Sequence, residues 1–65
     1  MKQHLYRVGM KHNTTGERVN LHVWADNVEE ATHLIVSAIG GYRGEYSWTG
    51  SGPEYQNNQI VTREI

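Results

Sequence analysis

Apolar and polar positions alternate twice in the first 25 residues, switch to a helical period, and then alternate again. His4 to Lys11 alternates as a strand does: Tyr6, Val8 and Met10 share one face with His4, and Leu5, Arg7, Gly9 and Lys11 share the other. Glu17 to Ala25 repeats the pattern, with Val19, Leu21, Val23 and Ala25 on one side and Arg18, Asn20, His22 and Trp24 on the other. The polar link His12-Asn13-Thr14-Thr15-Gly16 suits a hairpin loop, so these runs form an antiparallel pair.

From Val28 the period changes. Val28, Ala31, Leu34, Ile35, Ala38 and Ile39 recur every three or four residues and predict one apolar stripe on a helix, with Val36 outside it. Asp26 with Glu29, or Asn27 with Glu30, has the spacing of a capping box. Gly40-Gly41 is a natural left-handed stop. A helix this short is marginal in water on its own, so its stripe requires a sheet to lie on.

Glu45 to Thr49 reads as a third strand, with Tyr46 and Trp48 on one face as caps of the small core. Gly50-Ser51-Gly52-Pro53 reads as a turn, and Glu54 to Asn58 as an irregular segment or wide loop. Gln59 to Ile65 is the last strand, its facing undecided because Ile60 and Thr62 oppose Val61, Arg63 and Ile65. The order strand, strand, helix, strand, strand predicts an α+β fold: a four-stranded antiparallel sheet with one helix on one face, in a single small domain.

Composition narrows the picture. Sixty-five residues with 37% hydrophobic content and a net charge of -1 fit a small folded domain with little stability to spare. The chain has no cysteine, which removes disulfides and thiolate metal sites and suits the cytoplasm. It has no apolar run that would span a bilayer and no signal-peptide pattern, so no membrane partner is expected. Charge is uneven. Residues 1–25 carry Lys2, Arg7, Lys11 and Arg18 against Glu17, a balance of +3. Residues 26–65 carry Arg43 and Arg63 against Asp26, Glu29, Glu30, Glu45, Glu54 and Glu64, a balance of -4.

If the alternation holds, Arg7, Lys11, Arg18, His22 and Trp24 project from the sheet face that the helix leaves open. Cations beside an aromatic ring on a sheet can engage single-stranded nucleic acid, phosphates meeting cations and bases meeting rings. The plain alternative is a solvated face with Trp24 shielding the cationic stems. A second group, Tyr42, Arg43 and Tyr55, lies near flexible glycines, and tyrosine is enriched at protein interfaces.

Catalysis has less support. His4, His12, His22 and His33 are spaced by eight, ten and eleven residues, which matches no zinc pattern. Asp26, Glu29 and Glu30 are accounted for by the helix start, and Ser47 and Ser51 sit in no nucleophile motif. No enzyme, metal or cofactor is expected.

The stretch Ala25-Asp26-Asn27-Val28-Glu29-Glu30-Ala31, set between hairpins in a short cysteine-free chain, resembles small phage and mobile-element proteins, some anti-CRISPR proteins among them. The resemblance implies a sheet with one helix, no enzyme site, and action by occluding a host complex. It carries over no functional residue. The expected function is binding through a protein surface, with a host protein or protein complex as partner. The alternatives are nucleic-acid binding by the open face, and a homodimeric adaptor that pairs through a strand edge.

Overall fold

A computed structural model describes residues 1–39 and 44–65. Its elements are β1 (Lys2–His12), β2 (Arg18–Ala25), α1 (Val28–Ala38), β3 (Tyr46–Pro53), β4 (Tyr55–Gln56), β5 (Gln59–Ile60) and β6 (Thr62–Glu64). The fold is α+β: an antiparallel sheet with one helix across one face.

β1 is the spine. It pairs with β2 along one side, from His4 opposite Ala25 to Lys11 opposite Arg18. Its other side is shared by two strands in tandem, β6 over Lys2 to His4 and β3 over Tyr6 to His12. The handover falls at Leu5, whose N–H donates to the Val61 carbonyl (2.9 Å) and whose carbonyl accepts from Glu54 N–H (2.9 Å). Between Glu54 and Val61 the chain buds outward as the β4–β5 hairpin.

The hairpin loop is held by His12. Its Nδ1 accepts from the N–H groups of Thr14 and Thr15, both at 3.2 Å, and Gly16 supplies a left-handed backbone at φ 76°. Asn13 extends the hold across the sheet: its amide donates to the Gly44 carbonyl and its Oδ1 accepts from the Ser47 hydroxyl.

The core lies between sheet and helix. Val8, Met10, Ala25, Ala31 and Val36 are buried, and Tyr6, Val19, Val23, Ile35, Ile39 and Tyr46 pack against them. Every sheet residue in that set comes from the face assigned to the core by alternation.

Of the two caps that the sequence allows, the helix uses Asn27, whose Oδ1 accepts from Glu30 N–H at 2.8 Å, and Asp26 stands outside the helix. Three other expectations change. The buried stripe is rotated: Val36 is 8% exposed, while Leu34 is 42% exposed and Ala38 is also exposed. At 100° per residue the stripe centred on Ala31, Ile35, Val36 and Ile39 lies about 50° round from the one expected. The reason is that the helix must cover β1 and β3 as well as β2, which turns its Val36 side inward.

Gly50-Ser51-Gly52-Pro53 is not a turn but the continuation of β3. Thr49 is an extra residue in the ladder, because Gly9 is opposite Gly50 while Met10 is opposite Trp48. Such a bulge bends the strand without ending it. Pro53 is tolerated because β3 is at the sheet edge and its missing N–H faces away from β1. Last, Glu54 to Asn58 contains a tight hairpin rather than a wide loop: Asn57 and Asn58 both have positive φ, 53° and 64°, which a two-residue primed turn requires. The single last strand is accordingly divided into β5 and β6 at Val61. The Gly40-Gly41 stop lies outside the described residues.

Candidate functional site: the open sheet face

Strict alternation in β1 and β2 places Arg7, Lys11, Arg18, His22 and Trp24 on the face opposite α1. The register confirms the grouping, since Leu5 is opposite Trp24, Arg7 opposite His22, Gly9 opposite Asn20 and Lys11 opposite Arg18. Directly opposed residues of an antiparallel pair project to the same side.

The tandem strands add residues that the local pattern did not reveal. Gln3 opposite Arg63 brings β6 onto this face. The Arg63 guanidinium lies 4.8 Å from the Trp24 ring centroid and donates to Gln3 Oε1 from Nε (3.2 Å) and Nη2 (2.8 Å). Trp24 is half-buried beneath it, so its ring is engaged within the chain.

The bulge also resets the parity of β3, turning Gly50, Gly52 and Glu54 to the open face. Glu54 Oε2 pairs with His22 Nε2 at 2.9 Å, reaching from one side of β1 to the other. Arg7, Lys11 and Arg18 have no carboxylate within ion-pair distance among the described residues. With Arg63, the face gathers four cations among the described residues, and its carboxylate Glu54 is taken up by His22. Lys11 and Arg18 are direct cross-strand neighbours, a like-charge arrangement that is unfavourable without an anion nearby.

In the middle of this face lies a shallow cleft of about 300 Å³, lined by Arg7, Gly9, Asn20, Thr49, Gly50, Ser51 and Gly52. The opposite side of the sheet carries a second, more apolar groove between the start of α1 and β3, lined by Val28, Thr32, Trp48 and neighbours. Trp48 is 55% exposed there, not a full cap on the core; Tyr46 alone of the pair packs against the buried cluster. A directed chain of hydrogen bonds closes the groove's floor. Trp48 Nε1 donates to Ser51 Oγ (2.7 Å), and Thr32 Oγ1 donates to the Val28 carbonyl (2.9 Å). The 2.6 Å contact between Ser51 and Thr32 therefore has Ser51 as donor.

Of the remaining sequence candidates, the described one, Tyr55, is not brought together with the hairpin cations. Tyr55 is exposed on the separate two-stranded β4–β5 sheet, and Tyr42 and Arg43 lie outside the described residues. His4 and His22 fall on opposite faces, His4 bonding Thr62 Oγ1 at 2.9 Å. Among the described residues no three His, Cys, Asp or Glu side chains are grouped to hold a metal ion, and no helix is long and apolar enough to cross a membrane. Compared with protein-family models, with curated proteins and with solved structures, the chain gives no match in any of the three.

Proposed function

We propose that this chain is a small non-enzymatic binding protein that engages an acidic surface of a protein partner through the open face of its sheet. The observation that carries this reading is the group Arg7, Lys11 and Arg18, exposed on one face with no carboxylate partner among the described residues. Unpaired cations on a rigid, helix-backed sheet raise the encounter rate with an anionic surface and select against cationic ones. Occluding a larger host complex, as the phage proteins that the layout resembles do, is one use of such a face. We extend the proposal to a cytoplasmic setting, which a cysteine-free chain suits.

A second reading, single-stranded nucleic acid, is favoured by the same cations. It ranks behind because the ring it would stack on, Trp24, is covered by Arg63. The outer edge of β2 also has no strand against it among the described residues, which leaves pairing with a second copy as a third reading.

Fluorescence anisotropy separates these. A labelled polyglutamate peptide stands in for the acidic surface and a labelled single-stranded oligonucleotide for the alternative. Binding of the peptide that falls with added salt and disappears in Lys11→Glu/Arg18→Glu supports the proposal. Tighter binding of the oligonucleotide, or no binding of either probe at low salt, overturns it. Sedimentation at rising concentration reads the self-association.

A further inference from the structure

Gly50 and Gly52 have no structural reason to be glycine. Glycine inside a strand costs about 0.5–1 kcal/mol relative to alanine, and it is retained where backbone geometry or crowding excludes a side chain. Neither condition applies. Neither residue has a positive φ, and a Cβ built on either meets nothing within 4 Å. Gly9 is different, because its Cβ would lie 2.6 Å from Thr49 Oγ1. What the two glycines do is keep the central cleft open to the backbone.

The cleft's walls carry chemistry of one kind. Arg7 lies directly opposite Gly52 across the ladder, and Asn20 and Thr49 flank Gly9. Among the described residues Arg7 is the one cation lining the cleft. The Glu54 carboxylate, on this face, is held by His22. A planar guanidinium with an amide and a hydroxyl at its side matches a carboxylate, which accepts two parallel N–H bonds from one arginine.

We propose that this cleft is a receptor site for a single acidic side chain, aspartate or glutamate, of the protein partner. Arg7 grips the carboxylate and the bare backbone at Gly50 and Gly52 admits its methylene stem. The inference rests on the reading of the open face and deepens it: Lys11 and Arg18 attract the acidic surface, and the cleft receives one residue of it.

The test uses the full chain, labelled with nitrogen-15, and sodium acetate as the probe, with sodium chloride matched for ionic strength and inorganic phosphate as a third arm. Acetate should shift the amides of Gly9, Gly50 and Gly52 and the Arg7 side-chain Nε–H in a saturable way that chloride does not reproduce. Gly50→Ala and Gly52→Ala fill open space, so they should keep the dispersed spectrum of the folded chain and abolish the acetate shifts. The same substitutions should weaken polyglutamate binding about tenfold or more, the loss of one charge-assisted contact. Lys2→Ala, which removes a cation from the other face, should leave that binding unchanged.

Three results would overturn the inference: acetate shifts equal to those of chloride, acetate shifts that persist in the alanine variants, or saturable shifts with phosphate in place of acetate. If the peptide binds and the cleft stays silent, the cleft proposal fails and the face proposal stands. If the peptide does not bind at all, both fail.

Discussion

Val36→Ala and Leu34→Gln form a paired test of how α1 is seated. Val36 is buried among Val8, Met10, Ala25 and Ala31, so removing two methyl groups forfeits about 1.6 kcal/mol of transfer free energy, plus a cavity term. Alanine's better helix propensity returns up to about 0.7 kcal/mol. The expected net loss is about 1–2 kcal/mol. At 65 residues the whole fold is worth roughly 3–10 kcal/mol, so this is a substantial share. For a domain of this size it lowers the Tm by about 5–15 °C.

Leu34 projects past the sheet and is 42% exposed. Glutamine there keeps a good helix former and leaves its amide in water, so the loss stays under about 1 kcal/mol. Urea unfolding followed by Trp24 and Trp48 fluorescence, with far-UV circular dichroism as a second probe, gives both values. The helical stripe read from sequence makes the opposite statement. With Leu34 inside, its glutamine variant would bury an unpaired amide and lose about 2 kcal/mol or more, and Val36→Ala would be neutral or stabilising. A measured order with Leu34→Gln worse than Val36→Ala would refute the rotated seating and, with it, the core described above.

Other substitutions probe separate joints. Asn27→Ala should cost about 1 kcal/mol by urea unfolding, because it orphans the Glu30 N–H, while Asp26→Ala should cost less than about 0.5 kcal/mol. Gly9→Ala should cost about 1–3 kcal/mol through its clash with Thr49, and Thr49→Ala in the same chain should recover part of it, a coupling that a double-mutant cycle reads directly. Asn58→Ala places alanine at a φ of 64° and should cost about 1 kcal/mol, whereas Asn58→Gly should be neutral within error. Arg63→Ala should red-shift Trp24 emission by uncovering the ring, with a stability loss near 0.5–1 kcal/mol.

The parts of the fold legible in sequence are those governed by short-range periodicity. The β1–β2 hairpin is stated by its own alternation and five-residue polar link, and the helix by its change of period and its Asn27 start. Where the reading went astray, a longer-range demand overrode a local signal. Gly50-Ser51-Gly52-Pro53 has the composition of a turn, yet β1 is long enough to pair with it, and an edge position forgives both the glycines and the proline. Val36 broke the expected stripe because seating on three strands, not helical periodicity, decides which flank of a helix is covered. Asn57-Asn58 did carry a usable signal, since asparagine is among the few residues at ease with positive φ, and a pair of them invites a primed turn.

The candidate site divides along the same line, and the division changes what its charge means. Read along the chain, the basic residues belong to the first 25 positions and the acidic ones to the rest. The fold sorts them differently. Arg63 crosses from the acidic part to join Arg7, Lys11 and Arg18, because β6 pairs with the start of β1, some 60 positions away in sequence. Glu54 crosses with it, carried to the open face by the one-residue slip at Thr49, and is held there by His22. No periodicity within either segment could have announced these arrivals, since each depends on a register set by the other strand. The polarity that a partner meets is thus one between two faces of a sheet, not between two halves of a chain. Reversing the charge of Arg63 should therefore weaken an anionic partner in the same direction as reversing Arg18, although the two residues stand in stretches of opposite net charge.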